Sequence, residues 1–411
     1  MFKHHKILKL IIITLFIAAS IFTMTGCVNL LEDFVETITE HEATPYIRPQ
    51  TELISVSSYD ELVVAIIRFI LLHETENQLL YFSHDGDDVS EEIERARVEI
   101  LTEHPLGAYA VSDIAVNATR IVTHYEVDII IEFKREKEQI DSIITVSTER
   151  FLRTQLLSRM SQYREEIIFR TTMELTEEDI IELINDTYYQ NPRRIVMLPV
   201  ITVEIFPEEG DDRIYDVGFG YTESASMLQQ YGVILVQYVD RHTDQAAGNT
   251  EPEILLSLVN GLMESTTFDE RTARTIPAHG SQHFAATAFG ALFRGSAIGE
   301  GFAMALKALA DELGFDCQVV LGYYEGRVHA WNIVMLFGDY YHVDVAMCVV
   351  NGIETAFLKT DADFEEKYEW DRVNTVRCEG ELTLADIPDF INSEITGDDD
   401  NQSGEQNGEG D

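Results

Sequence analysis

Hydrophobic residues recur along this chain with the periods of helices and strands, and the clearest helical stretch lies in its C-terminal third. Phe302, Leu306, Leu309 and Leu313 are spaced by four, three and four residues, which predicts an amphipathic helix that begins at Gly299. A helix N-terminus carries free backbone N–H groups and a positive dipole end, the surroundings that stabilise a reactive thiolate. Glycine places no side chain at this position.

Two stretches before this helix, 57–135 and 147–221, show the same order of predicted elements: helix, strand, helix, strand, strand. The predicted elements are 59–73, 78–83, 90–103, 108–117 and 121–133 in the first stretch, and 148–163, 166–171, 176–190, 195–206 and 213–221 in the second. Both second helices open with a hydroxyl and two acids, Ser90-Glu91-Glu92 and Thr176-Glu177-Glu178, which cap the helix and favour its dipole. We therefore predict two tandem copies of one α+β unit, which serve as a scaffold or a binding surface.

From residue 250 to residue 390 the pattern predicts a further α+β domain. A helix at 251–264 precedes the helix that starts at the glycine, and a strand at 318–323 precedes a hairpin. The arms of the hairpin are 328–337 and 340–346, on either side of the turn signal Gly338-Asp339.

His329 and Asp344 lie on the two arms of this hairpin. Any two-residue loop pairs positions whose numbers sum to an odd value, and paired side chains share one face of the sheet. The numbers 329 and 344 have an odd sum, so both side chains point the same way. Their offset is two to four positions, depending on whether Phe337-Gly338 or Gly338-Asp339 forms the loop. An imidazole held by a carboxylate is the base half of a nucleophilic triad.

Three motifs make this region resemble the transglutaminase-like superfamily, whose fold is related to that of papain-like cysteine proteases. The superfamily pattern is a stretch of the form A-V-C-E/Q-G-Y-A at a helix start, then H-A-W-N, then an aromatic-rich strand that ends in V-D. The matching stretches are TAFGALFRGSAIGEGFA (287–303), HAWN (329–332) and YYHVD (340–344), and FLKTDADFEEKYEW (357–370) resembles the segment after the aspartate in bacterial members. The resemblance implies that His329 is the catalytic base and that Asp344 orients it.

The nucleophilic cysteine of the pattern falls on Gly299 in this alignment. Because glycine has neither a thiol nor a hydroxyl, covalent acyl transfer cannot begin there. Three substitutes stay open from the sequence: the hydroxyl of Ser296, the thiol of Cys348, or a water molecule held by His329. A substitute nucleophile would have to lie about 3–3.5 Å from the atom that it attacks.

The other motif residues have two interpretations. In the first, the missing side chain opens space above the histidine and the aspartate, where Gly299, Glu300, Trp331 and Asn332 bind a peptide or a glycan without cutting it. In the second, Trp331 and Asn332 are kept by packing, and the histidine and aspartate form a polar pair that holds two strands together.

Charge and cysteine content limit the partners and cofactors. The chain has a formal net charge of −44, which argues against nucleic acid as a partner. Cys317, Cys348 and Cys378 allow at most one internal disulfide, and the chain has no Cys-x-x-Cys pair. We therefore predict no metal site and no cofactor.

The two ends of the chain predict export and attachment to a membrane. Residues 1–26 contain three lysines and then an uncharged apolar run, which is typical of a secretion signal. Thr25-Gly26 before Cys27 resembles the lipobox of bacterial lipoproteins, which implies that Cys27 is lipidated and anchors the protein to the extracytoplasmic face of the cell membrane. Residues 27–56 are predicted to be a linker, and 391–411 a disordered acidic tail.

Together these features predict an α+β protein: a membrane-anchored, surface-exposed bacterial lipoprotein with a transglutaminase-like domain that has lost its nucleophile. Its predicted task is to bind an envelope peptide, a glycan or a surface protein. Two alternatives are a transglutaminase-like hydrolase or peptidase that uses Ser296 or Cys348, and a purely architectural surface protein.

Overall fold

The computed structural model describes residues 53–82 and 89–387. Helices and strands alternate along these residues, and most of the strands form four-stranded sheets. The predicted α+β fold class is therefore confirmed. The predicted signal peptide 1–26, the lipidation residue Cys27, and the tail 391–411 lie outside the described residues, as does the linker up to residue 52. Across the described ranges, no helix has both the length and the apolar composition that a bilayer span requires.

The first segment is a four-stranded sheet with three helices. Its elements are β1 (Ile54–Val56), α1 (Tyr59–Leu72), β2 (Glu76–Tyr81), α2 (Val89–Thr102), α3 (Pro105–Ala110), β3 (Val111–Ile121) and β4 (His124–Phe133). The strand order is β1-β2-β4-β3, and β4 pairs antiparallel with both β2 and β3. The strand that we predict from residue 108 begins at Val111, because Pro105 starts the short helix α3, where its missing N–H costs nothing.

The second segment has a sheet of the same size. Its elements are α4 (Lys137–Asp141), β5 (Ile144–Thr145), α5 (Glu149–Ser161), β6 (Glu166–Thr171), α6 (Glu177–Tyr189), β7 (Val200–Phe206) and β8 (Arg213–Gly220). The strand order is β5-β6-β8-β7, which matches the first sheet strand for strand. The matching order is what two tandem copies require, and the repeat itself stays a prediction.

One predicted strand of the second segment is shorter than its apolar run. The prediction of 195–206 is wrong in its first half, because residues 195–198 are all buried and only from Val200 do exposed and half-buried positions alternate. A strand with one exposed and one buried face shows a period of two. Residues 195–198 lack this period, and they pack in the core without pairing with a strand.

The C-terminal segment combines helices with a third four-stranded sheet. Its elements are α7 (Ala225–Gln245), α8 (Glu251–Ser265), β9 (Thr267–Phe268), α9 (Glu270–Ala273), α10 (Ala288–Leu292), β10 (Ser296–Ala297), α11 (Gly299–Glu312), β11 (Cys317–Tyr324), β12 (Arg327–Leu336), β13 (Asp339–Val343), α12 (Val345–Asn351), α13 (Asp361–Phe364) and β14 (Tyr368–Trp370). The sheet order is β13-β12-β11-β14, all antiparallel, and α11 packs on β11 and β12.

The long helix α7 is absent from our sequence prediction, which assigns no element between residues 221 and 250. Ser224 caps the helix by accepting a hydrogen bond from the backbone N–H of Met227. Only Leu228, Leu235 and Val239 are fully buried, so the apolar stripe that would mark the helix is narrow.

The hairpin of β12 and β13 closes on Phe337-Gly338. Leu336 pairs with Asp339, and the two loop residues have φ angles of 53° and 98°, the positive values that a tight hairpin turn requires. The predicted second arm, 340–346, is wrong after Val343, because the chain turns into α12 there. The Asp344 carboxylate caps that helix by accepting from the backbone N–H of Met347 at 3.0 Å.

One hydrophobic core runs through the second and C-terminal segments. Gln282, in the loop before α10, donates to the carbonyls of Leu198 and Gly220 at 3.1 and 2.7 Å. Tyr189, at the end of α6, reaches the first turn of α11. The second segment therefore contributes to the structure around the predicted site, whether or not it is a repeat of the first segment.

Candidate functional site

His329 and Asp344 form a buried hydrogen-bonded pair. Nε2 of His329 lies 2.7 Å from Oδ2 of Asp344, and the two residues are 7% and 0% exposed. Tyr368 also donates to Oδ2, at 2.9 Å, so together with the helix-cap bond the carboxylate accepts from three donors. Because a carboxylate only accepts, Nε2 of His329 carries a proton, and in the neutral form of the ring Nδ1 keeps a lone pair.

The ring of His329 occupies the space next to Gly299. A Cβ built on Gly299 would lie 2.5 Å from Cε1 of His329, nearer still to Nδ1, and 3.1 Å from the carbonyl oxygen of Ala330. Real Cβ atoms essentially never approach other heavy atoms this closely. Gly299 is the first residue of α11, in ordinary helical conformation, so the restriction comes from the neighbouring ring rather than from the backbone.

The structure corrects the idea of open space above the pair. The cavity that Gly299 and Glu300 line has a volume of only about 20 Å³. Trp331 and Asn332 are fully buried, so neither side chain is placed to contact a ligand. The indole N–H of Trp331 donates to Nδ1 of His342 at 3.0 Å, and Asn332 donates to the carbonyl of Ala303 at 2.9 Å.

Neither substitute side chain from the sequence reaches His329. Ser296 lies in β10, where it pairs with Thr267 in a short parallel bridge. Cys348 is buried inside α12, and burial raises the pKa of its thiol far above the usual range. In the described part of the chain, no hydrogen bond joins His329 to either residue, so the geometry provides no side-chain nucleophile for it.

A much larger cleft also borders His329. It has a volume of about 580 Å³ and is lined next to the histidine by Tyr324 and Tyr368. Its wall carries the cations Arg274, Arg327 and Lys367 together with four carboxylates. The cleft is large enough for a small ligand or a few residues of a peptide, and it offers partners for charges of both signs.

The buried Glu300 and the half-buried His279 add two polar groups that the sequence reasoning did not connect. Oε1 of Glu300 accepts from the hydroxyl of Tyr189 at 2.8 Å and from the backbone N–H of Gly280 at 3.1 Å. Burial raises the pKa of Glu300 to about 7. Nε2 of His279 lies 3.1 Å from the carbonyl oxygen of Gly322, and burial lowers the pKa of this imidazole. No local sequence signal announces these contacts, because Tyr189 and Glu300 are 111 residues apart.

One further cluster has the composition of a metal site. His342, Asp361 and Cys378 place one possible ligand atom each within 4.8 Å of one another. However, Nδ1 of His342 accepts from Trp331, so its Nε2 carries the proton and donates to Asp361 at 2.9 Å. The lone pair that a metal would need is therefore in use, and the cluster is a hydrogen-bonded support for the sheet.

Fold and site together define an α+β domain in which the first turn of a helix faces a buried histidine–aspartate pair. The sequence matches no protein-family model and no curated protein. Solved structures with limited similarity include a TGase, at 13% identity and a TM-score of 0.26 over 53% of this chain and 60% of that one. A proposed cysteine protease from Cytophaga hutchinsonii has 14% identity and a TM-score of 0.21, covering 38% of this chain and 65% of its own.

A proposed protease from Parabacteroides distasonis ATCC 8503 has 6% identity and a TM-score of 0.17, covering 66% of this chain and 43% of its own. This chain thus spans 60% of the length of the TGase structure. At these TM-scores and identities, the similarities carry no information on activity or substrate.

Proposed function

We propose that this chain is a lipid-anchored binding protein of the bacterial envelope whose transglutaminase-like domain performs no covalent acyl transfer. The observation that carries the proposal is the position of the His329 ring, 2.5 Å from the Cβ position of Gly299. A thiol at this helix start is absent, and the imidazole fills the space in which one would stand. A covalent mechanism needs a nucleophile next to its base, and this site has only the base.

The assignment to the transglutaminase-like superfamily is supported by the sequence motifs and by the direction of the histidine ring. Nε2 points to Asp344, and Nδ1 is turned towards position 299, where the pattern of the superfamily has its cysteine. A base that faces the nucleophile through one nitrogen and its orienting acid through the other is the general arrangement of a triad.

The ligand is proposed to bind in the large cleft and not at Gly299. The cleft borders His329, and its wall carries cations and carboxylates next to two tyrosine rings. Such a wall suits a short peptide of the cell envelope that itself carries both charges. A glycan is the competing ligand, because tyrosine rings also pack on sugars. The lipid anchor at Cys27 would hold the cleft near the membrane surface, where envelope peptides occur.

Catalysis is tested with the full-length protein extracted from membranes, in amidase, esterase and transglutaminase assays. Wild type, Gly299→Cys and His329→Ala are all expected to show no turnover. Gly299→Cys gains nothing because its Cβ displaces the base that it would need. Turnover by the wild type that disappears in His329→Ala would contradict the proposal.

Binding is tested by calorimetry with cell-wall peptides and with glycan fragments. Arg327 lines the cleft and makes no ion pair with a described residue, so Arg327→Glu is expected to weaken peptide binding about tenfold, roughly 1.4 kcal/mol. The matched control is Arg68→Glu, on the exposed side of α1, which should leave the affinity unchanged. If only glycans bind, the proposed ligand is a glycan and not a peptide. If neither peptides nor glycans bind, the proposed binding function is overturned.

A further inference from the structure

Three polar side chains border the small cavity beside Gly299, among apolar neighbours such as Ile276 and Val328. Its polar side chains are those of His279, Glu300 and His329, and its volume is about 20 Å³. This is enough for one water molecule, which needs a cavity of about 10–15 Å³ and two to four polar partners. The chemistry of the wall shows which kind of ligand fits.

Both imidazoles present a hydrogen-bond acceptor. Nε2 of His329 donates to Asp344, and Nε2 of His279 donates to the carbonyl of Gly322, because neither partner atom can donate. In the neutral form of each ring, Nδ1 therefore keeps its lone pair. Nδ1 of His279 is buried and has no hydrogen-bond partner among the described residues, and none of them bonds Nδ1 of His329.

Glu300 presents one oxygen without a partner. The residue is 3% exposed and lines the cavity, and both of its bonds, from Tyr189 and from Gly280, end on Oε1. Oε2 is buried, and no described residue bonds to it. Because Oε1 already accepts from two donors and burial raises the pKa of the carboxyl to about 7, the proton of the acid form belongs on Oε2, where it can be donated.

We propose that this cavity is a binding site for one water molecule, which donates to Nδ1 of His329 and Nδ1 of His279 and accepts from Oε2 of Glu300. Water matches the wall because it has two protons for two acceptors and a lone pair for one donor. An ammonium ion has no lone pair to accept the Glu300 proton. An anion would face two imidazole lone pairs and is excluded by them.

The water would complete a chain of hydrogen bonds across the site. The chain runs from Tyr189 through Glu300 and the water to His329, and then through Asp344 to Tyr368 in the wall of the large cleft. The water would satisfy Nδ1 of His329, which has no hydrogen-bond partner among the described residues. This inference does not depend on what the cleft binds.

The first test is a high-resolution crystal structure of the wild-type protein at pH 6, combined with ¹⁵N NMR of its histidines. We expect one oxygen about 3 Å from each of the three atoms, with both Nδ1 atoms unprotonated. A protonated Nδ1 on either histidine, or no density in the cavity, would overturn the proposal. Crystals soaked in ammonium salts test the cation, and density that appears only in them would overturn it as well.

Two variants of Glu300 test the donor. Glu300→Gln keeps a carbonyl oxygen for Tyr189 and an N–H donor for the cavity, so the water should remain. Glu300→Met removes the donor, and the water should be lost or at least twofold lower in occupancy. Glu366→Met, in the wall of the large cleft, is the matched control and should leave the density unchanged. Glu300→Gln also serves as the test if Glu300→Met does not fold. Wild type and Glu300→Gln should then show equal water density, and a cavity without water in Glu300→Gln would refute the role of residue 300 as the donor.

Discussion

The imidazole of His329 occupies the place that a side chain on residue 299 would need, with Cε1 2.5 Å from the Cβ position of Gly299. The ring cannot simply swing away, because Nε2 is bonded to the buried carboxylate of Asp344 at 2.7 Å. The absence of the nucleophile and the position of the base are thus linked, since glycine at 299 permits the ring position that Asp344 enforces.

Gly299→Ala should destabilise the protein, although alanine is the better helix former. The added Cβ has to push the His329 ring from its bond with Asp344, and overpacking of this kind costs about 1–3 kcal/mol. Gly261→Ala is the matched control, since nothing lies within 4 Å of a Cβ on that glycine in α8. It should stabilise the protein by about 0.5–1 kcal/mol. Urea unfolding measures both, and equal effects in the two variants would show that the ring yields freely.

Asp344→Ala should be among the most damaging single changes in the domain. It leaves the donors of His329, Tyr368 and the α12 first turn without an acceptor, and each buried donor left unsatisfied costs about 1–3 kcal/mol. Asp344→Asn keeps one acceptor oxygen and should lose less. Asp339→Ala, at the exposed hairpin end, should stay within about 0.5 kcal/mol of wild type. A comparable loss of unfolding free energy in Asp339→Ala would mean that the network does not stabilise the fold.

The stability of the wild type should depend on pH through Glu300. Its pKa is about 7 in the folded protein, against an ordinary value of 4.5. Below pH 4.5 the carboxyl is protonated in both states, and its stabilising contribution is complete. Between pH 4.5 and 7 only the unfolded chain releases the proton, so the free energy of unfolding falls with rising pH, by up to about 3 kcal/mol in total.

The measurement is chemical denaturation across this pH range for wild type and Glu300→Gln. The groups that face Glu300 are the Tyr189 hydroxyl, the Gly280 N–H and the imidazoles across the small cavity, and these are common to both proteins. The difference between the two curves therefore isolates the carboxyl. Parallel curves from pH 4.5 to 7 would contradict the raised pKa.

Cys27→Ala should abolish processing at the predicted lipobox. Without the thiol no lipid can be attached, so the variant should keep residues 1–26 and carry no lipid. Intact-mass spectrometry of the membrane fraction measures both features. Cys378→Ala is the control and should have the lipidated mature mass. An identical mass for Cys27→Ala and wild type, after allowing for the substituted side chain, would exclude lipidation.

Local patterns in the sequence were sufficient to predict the features that depend on neighbouring residues. Apolar spacing placed the start of α11 at Gly299, because the helical period is a property of the backbone within a few residues. The turn signal Gly338-Asp339 located the hairpin. The odd sum of 329 and 344 was enough to put both side chains on one side, since a two-residue turn couples the arms.

The surroundings of Gly299 depend on contacts between residues that are far apart in the sequence. The space next to it is filled by a ring from β12, and Glu300 is held by Tyr189, a residue 111 positions away in another segment. The switch from strand to helix at Asp344, the burial of Trp331 and the isolation of Cys348 likewise follow from packing against distant residues. Contacts of this kind depend on how separate elements share one core, and no period within a single element encodes that arrangement.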